Sequence, residues 1–366
     1  MVRSSTPRST RTAPGRPAPV VRDFRGGGVG YRIEWDVRSV YDFIFSLSED
    51  AGSTEDMPAG DRRWLAEARA SLPEGIREHH AALLANELCM HVAELIVVRP
   101  EIATPADFVA ALAALDEATA LRYMLGDVIQ ERDIAPLLER ARQGDEVAIA
   151  AIGERLPDYR RDQYLAVLRD PASIVDHIVA VFTAWEVKFR EIEPRVAAML
   201  QRDVEAREDD IRTLAPGDLI EKTTGGLRFL PEPGINRVVM APSYFARPYN
   251  FLFSDADWRL YGYPIADSAL DSADPLEPPP AVVRLHRALG DPSRLRILHL
   301  LADGDRYLTE IAQALELSKP TVKHHMAQLR AAGLVTLTEE ASLTYYSLRR
   351  DRLDEIGSEL RRFITT

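Results

Sequence analysis

The stretch LSKPTVKHHMAQLRAAGLV, residues 317–335, decides the fold of the C-terminal part of this chain. The chain has 366 residues and a formal net charge of −12, yet two of its four lysines and two of its eight histidines lie within Lys319–His325. Ser318 is a residue type that caps helices, and Pro320 follows in the first turn, where a missing N–H costs little. The stretch therefore predicts a helix with positive charge at its N-terminal end.

The predicted helix has two chemically different faces. Val322, Met326 and Leu329 recur at i, i+4 and i+7, so they fall on one side and face a core. Away from that side lie the basic and hydrogen-bonding residues Lys319, Thr321, Lys323, His324 and Gln328. Such a face can enter a DNA major groove and contact phosphates. An ordinary solvated helix could carry the same residues, so the neighbouring elements decide between the two interpretations.

Those neighbours form a larger pattern. Leu308–Glu316 and Pro320–Ala332 are two helices at the spacing of a helix-turn-helix, and Thr309 is the expected N-cap of the first. Gly333 ends the second helix, and VTLTEEASLTYYSL after it predicts a β-hairpin. The order helix, turn, helix, hairpin is that of a winged helix-turn-helix.

Two further helices precede this pair. VVRLHRALG predicts a helix that ends at Gly290, a residue type common at helix C-termini. Asp291 then caps the helix in DPSRLRILHLLADG, with Pro292 at its first position. The C-terminal unit is thus compact and well delimited by turn residues.

DPSRLRILHLL, LTEIAQALELSKPTVKHHMAQLRAAGLV and the TYYSL strand resemble the winged helix-turn-helix of ArsR-type bacterial repressors, over about residues 279–365. The resemblance implies a cytoplasmic dimer that binds operator DNA and is released, or sometimes recruited, by a signal. By position it assigns DNA contacts to Ser318, Lys319, Thr321, Lys323, His324 and Gln328. His325 lies nearer the buried side, and we interpret it as a packing or phosphate-contacting residue.

The chain departs from the family pattern in ways that affect function. Glu339 and Glu340 stand at the wing tip, where the family often has basic residues, so we expect a weak grip of the wing on phosphates. EIAQALEL lacks the paired cysteines of the thiol metal sensors, and DRLDEIGSELRRFI lacks the Asp/His set of the zinc and nickel sensors. These departures predict that the protein is not a metal sensor.

Charge divides the chain into regions with different partners. Residues 1–28 hold six arginines and one aspartate, and residues 278–366 hold 13 basic and 11 acidic side chains, which leaves −19 for residues 29–277. A polyanion would be repelled by that middle region, so it is not a nucleic-acid surface. The Ser-, Pro- and Arg-rich tail cannot bury apolar area, and we expect it to be disordered; an arm that reaches into a minor groove is the alternative.

The composition predicts four segments along the chain. They are a disordered basic tail over 1–28, a mainly helical effector or dimerisation domain over 29–271, a Pro-rich linker over 272–281, and a winged helix-turn-helix over 282–366. The fold class is therefore mainly α, with a small β segment in the N-terminal domain.

Hydrophobic periodicity predicts the secondary structure of the N-terminal domain. The pattern is helical from Val40 to about Ala215, with a bend expected near Pro194, and short β-like runs follow Gly225. Eight aromatic residues lie between Tyr244 and Tyr263. Core packing explains such density more often than the wall of an apolar pocket does.

The sequence gives little support for metal binding or catalysis. His80, Glu87 and His91 share a face of one predicted helix beside Cys89, but no fourth ligand is evident, so a solvated face is favoured over metal ligation. A single cysteine fits a reducing cytoplasm, and no apolar run reaches the roughly 18 residues of a membrane helix. No nucleophile elbow, phosphate-binding loop or HExxH motif occurs, so we predict neither an enzyme nor a cofactor.

The combined prediction is a cytoplasmic, homodimeric, sequence-specific regulator of transcription, a repressor that binds a double-stranded DNA operator. Because the N-terminal domain is too large to be only a dimer handle, we expect it to receive a non-metal signal, from a small-molecule effector or a partner. The alternative is a scaffold or protein-interaction regulator whose N-terminal domain binds a protein partner.

Overall fold

The computed structural model describes residues 20–23, 30–48, 51, 56–83, 90–125, 134–156, 161–271, 278–340 and 343–365. Helices predominate over strands in these residues, which confirms the expectation of a mainly α fold. The elements of the first third are β1 (Val20–Asp23), β2 (Arg32–Trp35), α1 (Val40–Phe45), α2 (Ala59–Ala70), α3 (Glu74–Leu83), α4 (Glu94–Val98), α5 (Pro105–Ala113) and α6 (Glu117–Leu125).

A run of helices continues through the middle of the chain. These helices are α7 (Ala135–Arg142), α8 (Glu146–Gly153), α9 (Arg161–Arg169), α10 (Pro171–Phe189), α11 (Glu193–Ala206), α12 (Glu208–Thr213) and α13 (Pro216–Thr224). Asp170 caps α10 by accepting the N–H of Ser173 at 3.2 Å. Between α10 and α11 the chain leaves the helix, and Pro194 lies in the first turn of α11. The expected bend is thus a complete break, because proline is tolerated only at a helix start.

A five-stranded sheet lies beside these helices. It contains β4 (Arg237–Ser243), β5 (Phe251–Ser254) and β6 (Trp258–Pro264) together with β1 and β2, in the order β1-β2-β4-β6-β5. The central pairs β2–β4 and β4–β6 are parallel, and the two outer pairs are antiparallel. β1 corrects one expectation: residues 20–23 of the basic tail form an ordered edge strand, because β2 offers them an edge to pair with. The rest of that tail, 1–19 and 24–28, lies outside the described residues.

The C-terminal unit has the predicted winged order. Its elements are α14 (Pro280–Leu289), α15 (Pro292–Ala302), β7 (Arg306–Tyr307), α16 (Leu308–Leu315), α17 (Lys319–Ala331), β8 (Val335–Glu340), β9 (Leu343–Leu348) and α18 (Arg350–Thr365). Asp291 caps α15 through the N–H groups of Ser293 and Arg294, at 2.8 and 3.0 Å, as predicted. The expected cap Thr309 is wrong. Tyr307 is the N-cap residue of α16, and its N–H is satisfied by Glu310 at 2.9 Å.

The wing is not a free hairpin. One further strand, β3 (Leu227–Phe229), comes from the N-terminal part and pairs in parallel with β8, giving the order β3-β8-β9-β7. Gly226 makes the pairing possible: its φ is +121°, and a Cβ there would lie 2.8 Å from the carbonyl oxygen of Val335. The N–H of Leu337 donates to the Gly226 carbonyl at 2.8 Å. The two parts on either side of the linker therefore share one sheet.

They also share a core. Alternate residues of β4 face opposite sides of the first sheet, as strand geometry requires. Val239 packs into the cluster formed by the N-terminal helices, whereas Val238 belongs to a second cluster that includes Ile297 and Val322 of the winged unit. We call this second cluster the shared core. The linker thus connects two parts of the chain that bury one continuous apolar surface.

The aromatic-rich segment 244–263 serves mainly as core. Tyr244, Phe245, Trp258 and Tyr263 are all buried, which confirms the more common of the two interpretations. No helix in the described ranges is both long and apolar enough to cross a membrane.

Candidate nucleic-acid interface

α16 and α17 are joined by a tight turn. Glu316 adopts a left-handed conformation with φ of 57°, which is uncommon for a residue other than glycine, and the N–H of Leu317 donates to the carbonyl of Ala312 at 3.0 Å. Ser318 then caps α17, because its Oγ accepts the N–H of Thr321 at 3.2 Å. The predicted cap is confirmed. These contacts set the angle at which α17 leaves the turn.

The buried side of α17 is the predicted one. Val322, Met326 and Leu329 are 0%, 1% and 0% exposed and belong to the shared core. Burial of three such side chains stabilises the helix position by roughly 1.5–3 kcal/mol each. The opposite side is therefore held facing outward by packing rather than by its own polar residues.

That outward side carries the cations. Ser318, Lys319, Thr321, Lys323 and His324 are exposed, as predicted. Lys319 and Lys323 make no ion pair with any of the residues that the structure describes. The helix N-terminus adds partial positive charge at the same end, so the first turn of α17 is suited to phosphate.

Gln328 is held by a residue that the sequence reasoning missed. The guanidinium of the buried Arg294, on α15, donates to the Gln328 side-chain oxygen. It also donates to the carbonyls of Ala288 at 2.7 Å and Arg287 at 2.9 Å. Helical spacing could have indicated this residue, since Arg294 precedes Ile297 by three positions and lies on the same buried side of α15.

This contact determines how His324 is presented. Arg294 can only donate hydrogen bonds, so Gln328 must turn its oxygen toward the guanidinium and its NH₂ group toward His324. Gln328 Nε2 lies 2.8 Å from His324 Nε2. The imidazole Nε2 therefore accepts, which leaves Nδ1–H as the donor of this exposed side chain. Gln328 thus contacts both Arg294 and His324, whereas the resemblance assigns it a DNA contact of its own.

His325 belongs to the packing side. It is half-buried, and its Nδ1 is buried with no hydrogen-bond partner among the described residues. Burial lowers the pKa of His325 below its ordinary value, and the nearby Asp291 only partly offsets this effect. Of the two roles expected for His325, a neutral packing residue fits this environment better than a charged phosphate contact.

The wing is supported from both sides. β8 lies between β3 and β9, so its backbone groups are paired on each edge. Thr336 and Thr338 of β8 are buried. The side chains of Glu339 and Glu340 and the tip at 341–342 lie outside the described part of the chain, and the expectation of a weak phosphate grip stays a prediction.

His80 and His91, two of the residues considered for metal ligation, are assigned to different elements. His80 is on α3, with Nε2 at 2.7 Å from the carbonyl of Leu47, and His91 is in a short 3₁₀ helix, with Nδ1 at 2.7 Å from Glu94. Residues 84–89, including Glu87 and Cys89, lie outside the described residues, so the shared face of His80, Glu87 and His91 stays a prediction. Within the described ranges, no three His, Cys, Asp or Glu side chains are grouped to hold a metal ion.

The capped, outward-facing α17, its partner α16 and the hairpin define a winged helix-turn-helix, a class of nucleic-acid-binding unit. A family model described as "Bacterial regulatory protein, arsR family" matches residues 291–336. The chain belongs to this family, as the relatives confirm.

The relatives match within about a fifth of the chain. The HTH-type transcriptional regulator CmtR of Mycobacterium tuberculosis is 41% identical over 80 residues, which are 22% of this chain and 68% of that protein. The transcriptional repressor SdpR of Bacillus subtilis is 33% identical over 78 residues, 21% of this chain and 87% of that protein. The arsenical resistance operon repressor of Staphylococcus xylosus is 36% identical over 74 residues, 20% of this chain and 71% of that protein.

Proposed function

We propose that this protein is a transcriptional repressor that binds operator DNA in the bacterial cytoplasm, through α17, as a homodimer, and that its N-terminal part receives a non-metal signal. The observation that carries the proposal is the pair of exposed lysines, Lys319 and Lys323, on a helix whose other side is fully buried. Because its buried side fixes the helix, the exposed side can enter a major groove without disturbing the packing of the core.

The residues of α17 divide into two roles. Lys319, Lys323 and the capped N-terminus contact phosphate, which positions the helix without reading sequence. Thr321 and His324 reach base edges, and Gln328 orients His324. The module carries a net charge of only +2, so two copies on one operator are needed for adequate affinity.

The exposed apolar residues of helix α18 favour the proposed homodimer. This helix has no buried residue, and its apolar side chains Leu353 and Ile364 are 36% and 69% exposed. Ile356 of this helix packs against the shared core, so the apolar side is only partly covered, and a partner surface would stabilise the remainder. We propose that a second copy covers this side and so sets the spacing of the two α17 helices on the DNA.

The non-metal signal has its own support. One relative is named for arsenical resistance, but α16 of this chain contains no cysteine that could bind a thiophilic metal. The N-terminal part is joined to the winged unit by a shared sheet and core. A change in that part is therefore transmitted to the DNA-reading unit through contacts that already exist.

Salt-dependent DNA binding tests the proposal. Operator fragments selected by pull-down and sequencing should bind the full chain, and Lys323→Ala should weaken binding to all sequences and reduce the salt slope by about one unit. Lys188→Ala, the same change on α10, is the matched control and should leave the slope as in the parent. Equal slopes for the parent and Lys323→Ala would reject α17 as the DNA-binding helix.

A further inference from the structure

A cavity of about 330 Å³ lies where the N-terminal part meets α14 and α17. This volume is near the lower end of the roughly 300–1,000 Å³ that is usual for small-molecule sites. Arg62 of α2 and Tyr249 contribute one wall, Arg284 and Arg287 of α14 a second, and Gln328 of α17 a third. The cavity is thus built from both parts of the chain and includes the side chain that holds His324.

The charges around the cavity are unbalanced. Three arginines face one carboxylate, Asp56, which forms an ion pair with Arg284. The Nε atoms of Arg62 and Arg284 are buried without a hydrogen-bond acceptor among the described residues. Burial, together with the positive charge of Arg352, lowers the pKa of Arg284 to about 10, and the nearby Glu359 only partly offsets this effect. Two of the arginines that line the cavity are thus incompletely paired, and buried cations are costly without a counter-charge, so an anion in the cavity would be favourable.

The remaining walls are apolar. Pro248, Val283, Ala288 and Ala331 line the space together with the ring of Tyr249. A neighbouring cavity of about 300 Å³ shares Arg284 but is less suited to an anion, because most of its cations are already paired: Arg207 with Asp203, Lys222 with Asp210 and Arg247 with Asp267. The first cavity therefore combines more arginines than carboxylates with an apolar enclosure.

We propose that this cavity binds a small organic anion, a carboxylate or phosphate carried on an apolar or aromatic body, and that this ligand is the signal of the proposed repressor. Arg62 and Arg287 donate to the anionic group, and the apolar walls enclose the body. The same anionic group accepts the Gln328 NH₂, which then no longer holds His324. Ligand binding therefore weakens operator binding. The release of His324 and the weakening of operator binding rest on the proposed function, whereas the binding of the anion in the cavity does not.

Direct titration of the full chain without DNA tests the site. The probes are benzoate, phenyl phosphate and the neutral benzyl alcohol, measured by calorimetry up to about 10 mM, a range that detects affinities near 1 mM. We expect benzoate or phenyl phosphate to bind at one site per chain, and which of the two binds more tightly identifies the anionic group. Benzyl alcohol should not bind. Absence of binding by both anions, or equal binding of benzyl alcohol, would overturn the proposal.

Variants locate the binding site. Arg62→Gln should weaken anion binding about tenfold or more, since the variant loses a charge-assisted hydrogen bond to the anion. Arg63→Gln removes the same charge from the next, exposed position of α2 and should have little effect. Ala331→Leu fills the cavity without changing its charge and should also block binding. Equal affinities for the parent, Arg62→Gln and Ala331→Leu would place the anion elsewhere and reject the site.

Operator binding is then measured with and without the anion that binds. A drop in operator affinity of about fivefold or more at saturation, absent in Arg62→Gln, supports the coupling to Gln328. If the anion binds at Arg62 but the chain binds no DNA, the site stands and the proposed function fails. If DNA binds but no anion does, the site fails and the proposed function stands.

Discussion

The backbone N–H of Leu337, in the first strand of the wing, donates to the carbonyl of Gly226 at 2.8 Å. These residues are more than a hundred positions apart, and they lie on opposite sides of the linker. The contact starts a parallel strand pair in which Leu227 is in register with Leu337. The DNA-reading unit is consequently stabilised by the part of the chain proposed to receive the signal.

Gly226→Ala should destabilise the protein. A Cβ at this position meets the Val335 carbonyl, and a φ of +121° is strained for any residue with a side chain, so the cost is on the order of 1–3 kcal/mol. Urea unfolding followed by circular dichroism measures it. Gly217→Ala, in α13 with open space around it, is the control and should be neutral or slightly stabilising. Equal losses for the two variants would show that the strand pair is not formed as described.

Gln328 and His324 should act as one unit in reading DNA. Gln328→Ala and His324→Ala should each relax preference at the same operator position, and the double variant should lose little more than either single one. The expected coupling is about 0.5–3 kcal/mol in operator discrimination, as for other residues in direct contact. Gln313→Ala, an exposed change on α16, is the control. Additive losses, or relaxation at two different positions, would mean that the two residues read bases separately.

His325 should make stability depend on pH. Burial lowers the pKa of His325 in the folded state, so the folded protein favours the neutral ring more than the unfolded chain does. Its contribution is therefore fully present above the ordinary histidine pKa of about 6.5 and is lost as the pH falls through the lower folded value. His325→Gln should remove this part of the decrease in the free energy of unfolding at acidic pH.

The measurement is the free energy of unfolding of the parent and His325→Gln between about pH 5 and 8. The difference between them should move in favour of the variant as the solution becomes more acidic. Asp291, Arg294 and His324 are present in both proteins, so the comparison isolates the titration of His325 among these neighbours. Parallel profiles would show that His325 is not the buried neutral ring described above.

The apolar side of α18 should control the oligomeric state. Leu353→Glu places a charge on the surface proposed to contact the second copy, so the chain should sediment as a monomer and bind its operator more weakly, because two linked heads give greater avidity than one. Ser358→Glu adds the same charge to another exposed position of this helix and should leave the dimer intact. A dimer that persists in Leu353→Glu would show that a surface other than the apolar side of α18 joins the two copies.

Much of the candidate site follows from local rules. The caps Asp291 and Ser318 and the buried series Val322, Met326 and Leu329 are all where the sequence predicts them, because capping and helical periodicity depend on residues within a few positions of one another. Thr309 fails as a cap for a related reason. Tyr307 is unusual at an N-cap, and the compensating contact comes from Glu310, so residue type alone points to the wrong position.

The sequence by itself therefore determined the winged helix-turn-helix, its family, the two faces of α17 and the mainly helical character of the rest. Only the tertiary structure decided that Arg294 holds Gln328, that β3 closes the edge of the wing, that residues 20–23 of the basic tail form a strand, and that arginines from α2 and α14 meet in one cavity. Periodicity and capping act over one or two helical turns and can be read locally. Strand addition, buried ion placement and cavities depend on which distant segments pack together, and no local pattern in one sequence encodes that choice.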